Sequence, residues 1–383
     1  MGELAIEEVR ARFTALQRPL AFFDGPGGTQ VPDSVVDAIA AYLHTANANL
    51  GGAFATSQAS DRVVASAREA AARLLGATAG EIVLGANMTT LNFHLSRTAA
   101  REWHAGDEVV VTKLDHDANV APWLELAVDK GLVVRFCELD ANCRLDLDHL
   151  RSLLSERTRV VAFPWASNGV GTVTPVAEVV SLAHEAGALA WVDAVHYAPH
   201  GPIDLAAVAA DVLLCSPYKF YGPHLGIAFG RRELLERWRP YKVRPADDHP
   251  PGHRHETGTL AHESLAGFVA AFEYLEWVGW EFVRSRERSL GARFLEGLPE
   301  PWRLHGPPTM DGRVSTFAIT RPDALPADAA ARLAALGFAV WDGDYYALEV
   351  MKHLGLPDGA VRVGVVHTNT EAELDGLLAA LEY

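Results

Sequence analysis

The sequence predicts an α/β protein: a doubly wound large domain with a mostly parallel seven-stranded sheet, plus a smaller α+β domain toward the C-terminus. Three observations carry this. Between about residues 80 and 230 short β-rich runs alternate with helical stretches, the rhythm of a parallel sheet covered by helices on both faces. Several of those runs are apolar throughout, as strands buried on both sides must be. The segment PADDHPPGHRHE, residues 245–256, is dense in proline and charge and breaks the alternation, marking passage into a second unit.

The strand candidates are 81–84, 108–112, 132–137, 160–163, 189–192, 212–215 and 226–229. A helix is expected over 176–186, where Pro175 stands at a position that a first helical turn tolerates. After the proline-rich segment come one long helical stretch over 260–298, a strand over 313–319 and a helix over 327–336. A strand over 338–341 and a final strand and helix over 361–365 and 371–381 complete the chain. Residues 1–17 read as a short amphipathic helix of mixed charge, without the basic start and apolar core of a signal peptide. The expected division is 18–245 for the large domain, with 1–17 and 246–383 forming the small one.

Composition narrows the function. With 383 residues, 49% hydrophobic and 21% charged, the chain can bury a sizeable core. A formal net charge of −16, with no cluster of Lys and Arg, argues against nucleic acid as a partner. No apolar run approaches the roughly 20 residues that span a bilayer, so no membrane association is expected. The three cysteines, Cys137, Cys143 and Cys215, form no CxxC pair, which suits a reducing compartment and makes the cytoplasm the expected location.

The sharpest local signal is that Asp193 and Lys219 each fall just past the carboxyl end of an expected strand, where open parallel sheets bind ligands. One such residue alone would be an ordinary solvated charge, as a lone histidine is usually a satisfied core residue. Here they belong to an ordered set. FFDGPGGTQVP covers 22–32, IVLGANMTTLNFHL 82–95, LDHDANVAPW 114–123 and WASNGVGTVTP 165–175. VDAVH covers 192–196, SPYKFYGP 216–223, HETGTLAHESLAG 255–267 and AVRVGVVHTNTEAEL 360–374. Two other features are set aside. His249, His253 and His255 beside Asp247 and Asp248 fit no standard zinc spacing, so no metal is expected. The glycine-bearing stretches do not match GxGxxG opening a helix after a strand.

Taken in order, these motifs resemble the class V aminotransferase group, within it the cysteine desulfurase-like branch, over nearly the whole chain. The resemblance implies a fold-type I enzyme dependent on pyridoxal 5'-phosphate (PLP). It makes Lys219 the lysine that forms an imine with the cofactor aldehyde, and Asp193 the carboxylate that keeps the pyridine nitrogen protonated. The protonated ring is then an electron sink for the α-carbon of an amino acid. His116 takes the position of the histidine stacked on the ring. Asn87, Met88, Thr89 and Thr90 form the phosphate cradle at a helix N-terminus, which favours an anion. Ser216 and Tyr218 join them. Asn168 and His196 are implied near the phenolic oxygen, and Thr259 reaches the phosphate of the neighbouring subunit in a homodimer. Arg362 clamps the substrate carboxylate as a bidentate ion pair, helped by Asn168.

The sequence departs from the branch in two places. A desulfurase carries its thiol on a loop before the carboxylate-binding arginine, but FAVWDGDYYALEVMKHLGLPDGAVR contains no cysteine and brings Tyr346 to about that position. A phenol with a pKa of about 10 does not replace a thiolate. NANLGGAF, residues 47–54, lacks the histidine and arginine of the corresponding family segment, so Asn49 and Gly51 are candidate specificity positions for a different or bulkier substrate. The expected reaction is β-elimination from cysteine, cystine or an S-conjugate, a C–S lyase activity; transamination is the alternative, with epimerases and hydrolases in the same group.

Overall fold

The computed structural model describes residues 4–382. The expected sheet is present, with strands β1 (Ile82–Gly85), β2 (Glu108–Thr112), β3 (Val133–Cys137), β4 (Thr158–Pro164), β5 (Leu189–Asp193), β6 (Val212–Cys215) and β7 (Gly226–Gly230). They lie in the order β1-β7-β6-β5-β4-β2-β3. Only β7 runs antiparallel to its neighbours, so the carboxyl ends of the other six share one edge.

Alternation along each strand divides the core into two layers, because successive side chains point to opposite faces. Val109, Val111, Val160, Ala162 and Trp191 pack with Leu91 and Leu95 of the helix Met88–Ala99 on one face. Val110, Val161, Phe163, Val192 and Leu213 pack on the other, against the helices Ala55–Leu75, Val176–Glu185 and His262–Val278. Both faces are covered, which is why the strand sequences carry no polar alternation.

A second sheet is formed by β8 (Arg303–His305), β9 (Thr316–Thr320), β10 (Trp341–Gly343) and β11 (Ala360–Gly364), all antiparallel, in the order β10-β11-β9-β8. It has its own core, with Phe294, Phe317, Val363 and Leu377 fully buried. Its last helix, Glu371–Leu381, opens with a capping box: Thr370 Oγ1 accepts from the Glu373 amide (3.1 Å), and the Glu373 carboxylate accepts from the Thr370 amide (2.9 Å).

Three elements differ from expectation. The helical stretch over 260–298 is two helices, His262–Val278 and Trp280–Gly297, broken at Gly279, whose φ of 73° belongs to no right-handed helix. The strand over 338–341 is split between two sheets. Phe338–Ala339 pairs in parallel with Ala21–Phe22, while Trp341–Gly343 pairs with β11. Of the N-terminal segment, Ile6–Arg10 is α-helical and Thr14–Gln17 is a 3-10 turn; Met1–Glu3 lie outside the described residues.

Candidate active site

The shared carboxyl edge of the sheet gathers the sequence-predicted residues. Asn87 follows β1, His116 follows β2, Asn168 follows β4, Asp193 ends β5, and Ser216, Tyr218 and Lys219 follow β6. These seven, with Met88, Thr89 and His196, line one pocket. A larger cleft of about 650 Å³ is lined by Tyr197, Trp280 and Met310, but the conjunction of lysine, buried carboxylate and helix N-terminus occurs in the smaller one.

Local chemistry sets each position. Asn87 caps the helix Met88–Ala99 by accepting from the Thr90 amide (2.8 Å), and the Met88 amide donates to Ser216 Oγ (3.1 Å), which ties the end of β6 to that N-terminus. Gly226 allows this approach, since a Cβ there would fall 2.4 Å from the backbone of Asn87. The Asp193 carboxylate accepts from the Val195 amide (2.8 Å); burial pushes its pKa up to about 6, against the pull of Lys219. His116 accepts from the Ala118 amide at Nδ1 (3.0 Å), so the neutral ring carries its proton on Nε2. Burial, aided by the positive charges of Lys219 and Arg362, lowers its pKa to about 4 and keeps that ring neutral at pH 7. His196 is held by a hydrogen bond between Nε2 and Thr316 Oγ1 (2.9 Å), and burial holds its pKa well below the usual histidine value.

Lys219 is half-buried, and its amine donates to the carbonyl of Pro26. Loss of water around the amine, together with Arg362, lowers its pKa to about 7, while Asp193 and Asp24 act in the opposite direction. The chain segment bearing Asp24 and Pro26 is locked onto the lysine turn, because the Thr29 amide donates to the Tyr218 carbonyl (3.0 Å) and Thr29 Oγ1 accepts from the Tyr221 amide (2.7 Å).

Arg362 stands beside the pocket on β11. It donates to the Asn168 carbonyl (3.0 Å) and lies 4.2 Å from the ring centre of Tyr345, whose own carbonyl accepts from Asn168 Nδ2 (2.8 Å). Tyr346 packs its ring against His116 at 5.4 Å, and its carbonyl accepts from the Asp117 amide (2.7 Å). The remaining expected residues are not gathered. Thr90 and Thr259 are exposed, Asn49 is exposed with its side chain accepting from the Leu50 amide (2.8 Å), and Gly51 is exposed with φ 80°. The three cysteines are buried thiols. Burial and then Asp193 push the Cys215 pKa far above the usual thiol value, which suppresses the reactive thiolate. In the histidine-rich segment, Asp248 pairs with Lys242 and Arg254, His253 with Glu256, and His255 with the Leu235 carbonyl.

Sequence reasoning assigned no role to Asp24, Pro26 or Tyr345. The first two lie in the motif 22–32, whose glycines were the available signal. Gly364 is required where this segment crosses β11, since a Cβ there would strike the Pro26 ring.

A lysine and a buried carboxylate line one pocket at the carboxyl edge of a doubly wound sheet, beside a helix N-terminus, an arrangement suited to an amine that engages a phosphorylated aldehyde. The description "Aminotransferase class-V" matches residues 21–377, and the chain belongs to that family. It is 32% identical to the aminotransferase-like protein FGM3 of Gibberella zeae, over 100% of this chain and 98% of that protein. It superposes on a cysteine desulfurase of Thermococcus onnurineus with a TM-score of 0.95 at 27% identity, covering 100% of this chain and 98% of the other. At 21% identity it shares the fold of a C-DES mutant with glycine covalently linked to PLP, with a TM-score of 0.85 and coverage of 97% and 98%.

The protein is therefore a PLP-dependent enzyme of fold type I. The pocket fits that cofactor. The Met88–Ala99 helix N-terminus, Ser216 and the exposed Thr89 can hold a phosphate, Asp193 can face a protonated ring nitrogen, and Lys219 can meet the aldehyde. Among the described residues Asn168 Oδ1 and Arg362 Nε are buried and find no hydrogen-bond partner, which leaves capacity for a polar ligand.

Proposed function

We propose that this chain is a cytoplasmic homodimer that eliminates a sulfur substituent from the β-carbon of an amino acid: cysteine, cystine or an S-conjugate. The observation that carries the reading is that, among the described residues, the cysteines are buried and none lines the pocket with Lys219. The Tyr346 ring packs against His116, the sequence resemblance brings Tyr346 to about the position of the branch's thiol, and Cys215 is sealed in the core. Without an acceptor thiol, sulfur leaves with the cleaved C–S bond rather than as a persulfide on the protein.

The roles follow from chemistry at each atom. Arg362, with Asn168 beside it, binds the substrate carboxylate, using the unpartnered Nε. Lys219, half neutral at pH 7 with its pKa of about 7, takes the α-proton as general base. Asp193 balances the charge of the ring nitrogen. The bound cofactor supplies the electron sink. His116, neutral with its proton on Nε2, covers the ring face. The C–S electron pair leaves on sulfur, as sulfide from cysteine, thiolate from an S-conjugate or the perthiolate of cysteine from cystine, and hydrolysis of the remaining three-carbon unit gives pyruvate and ammonia.

Dimerisation is supported by an apolar surface beside the segment 47–54. Val36 and Leu43 lie seven residues apart on one helix face and are exposed, as is Phe54 at 59%. Thr259 would reach the phosphate site of the neighbouring subunit in that homodimer. Three reduced thiols suit the cytoplasm. Among the described residues no helix is long and apolar enough to cross a membrane. Incubation of the PLP-loaded protein with cysteine, cystine and S-alkyl cysteines is expected to release pyruvate in step with sulfide, cysteine persulfide and thiol respectively. Conversion of the cofactor to its amine form, reversed by a keto acid, would instead establish transamination.

A further inference from the structure

The segment that replaces the thiol loop is built in an unusual way. Tyr345 and Tyr346 both have positive φ, 54° and 57°, a conformation that costs non-glycine residues and is kept only where the surroundings hold it. Here they do. The Tyr345 carbonyl is held by Asn168 Nδ2, its hydroxyl by the Ala360 carbonyl, and its ring lies beneath Arg362. The Tyr346 carbonyl is held by the Asp117 amide and its own amide by the Asp344 carboxylate (2.9 Å). This turn fixes the Tyr346 ring on His116 while leaving the residue 68% exposed.

Trp341 stands nearby by register. It is the direct partner of Arg362 in the antiparallel β10–β11 pair, so both side chains project from the same face of the sheet. Its indole lies over Gly27, where a Cβ would fall 2.4 Å from Nε1, one residue from the Pro26 carbonyl that holds Lys219. Trp341 is 52% exposed. Two large aromatic surfaces thus flank the approach to the lysine and arginine, and neither is consumed by the core.

We infer that Trp341 and Tyr346 form an aromatic clamp for the substrate side chain, so the enzyme selects amino acids with an aromatic or extended apolar β-substituent, such as aryl or benzyl thioethers of cysteine, over cysteine itself. The inference rests on the proposed amino-acid chemistry at Lys219 and Arg362, and adds what lies beyond the β-carbon. Aromatic pairing contributes a factor of several to about tenfold per contact. Selectivity between a benzyl and a methyl thioether is therefore expected to reach about tenfold or more with both surfaces present.

The test is an absorbance titration of the PLP-loaded protein with S-benzyl-L-cysteine and S-methyl-L-cysteine, in wild type, Trp341→Ala and Tyr346→Ala. Both side chains are exposed, so neither truncation empties the core. The wild type is expected to bind the benzyl compound about tenfold or more tightly, with each variant losing several-fold of that preference and keeping its affinity for the methyl compound. Equal affinities in the wild type, or a preference unchanged in both variants, would overturn the clamp. Because the readout is binding, it is independent of elimination. Selective binding without pyruvate would refute the lyase function and leave the clamp standing; pyruvate without selectivity would do the reverse.

Discussion

The lowered pKa of Lys219 makes a quantitative prediction for cofactor capture. An ordinary lysine amine with a pKa of about 10.4 is neutral in roughly 0.04% of molecules at pH 7. With a pKa of about 7, half of the Lys219 amines are neutral there, so the nucleophilic form is enriched roughly a thousandfold. The causes are burial first and the Arg362 charge second, opposed by Asp193 and Asp24. Mixing apo-protein with PLP and following the imine absorbance from pH 5.5 to 10 should show a rate that rises about tenfold per pH unit and levels off near pH 7. Arg362→Met should move the break upward and Asp24→Asn downward; comparing variants in the same buffers cancels the cofactor's own titration. A protonated Lys219 is penalised in the fold, and the penalty is full below about pH 7 and fades as pH climbs toward the unfolded value. Lys219→Met should therefore stabilise the apo-protein most in acid and progressively less toward pH 10, as measured by urea unfolding. A capture rate still rising tenfold per unit through pH 9, with no difference among variants, would refute this electrostatic argument.

Other perturbations test the frame around the site. Gly226→Ala should destabilise by more than about 2 kcal/mol and weaken PLP binding, since its Cβ meets the Asn87 backbone rather than a movable side chain; thermal melts with and without PLP measure both. Arg68→Met should cost about 3–5 kcal/mol by stranding the buried Glu256, which Arg68 engages at 2.6 Å and which also accepts from the Leu84 amide on β1. The reading is the denaturant midpoint, and Arg68→Met/Glu256→Gln should recover part of the loss. Cys215→Ser should leave turnover per folded molecule within about twofold, because its thiol is held protonated in the core; a large fall in kcat with normal folding would make that thiol catalytic.

Much of this was legible in the sequence because the large sheet is buried on both faces. Val109–Val111, within the run Glu108–Thr112, and the whole of Val212–Cys215 are apolar, and both runs end where the structure ends them. Asp193 and Lys219 were legible from their places after such strands, since a parallel sheet brings its carboxyl ends to one edge; Asn87, His116, Asn168, Ser216 and Tyr218 were legible only through the family resemblance. What was hidden depends on geometry that spacing does not encode. The break at Gly279 turns on a single backbone dihedral in an otherwise helical composition. The division of 338–341 between two sheets depends on which distant strands it meets, Ala21–Phe22 for one half and Ala360–Gly364 for the other. The pairing of Trp341 with Arg362, and the support of Lys219 by Pro26, join residues far apart in the chain. Thr259, Asn49 and Gly51 are exposed and do not line the pocket in a single chain; the role expected of Thr259 requires a second copy.

The most direct test is the absorbance of the PLP-loaded protein beside Lys219→Ala, before and after a cysteine thioether, with pyruvate and thiol assayed together. An imine band present only in the wild type, and equimolar pyruvate and thiol on addition of the thioether, is the expected result. No imine band in the wild type after PLP is supplied, or the same band in Lys219→Ala, would contradict the assignment of Lys219 as the cofactor lysine.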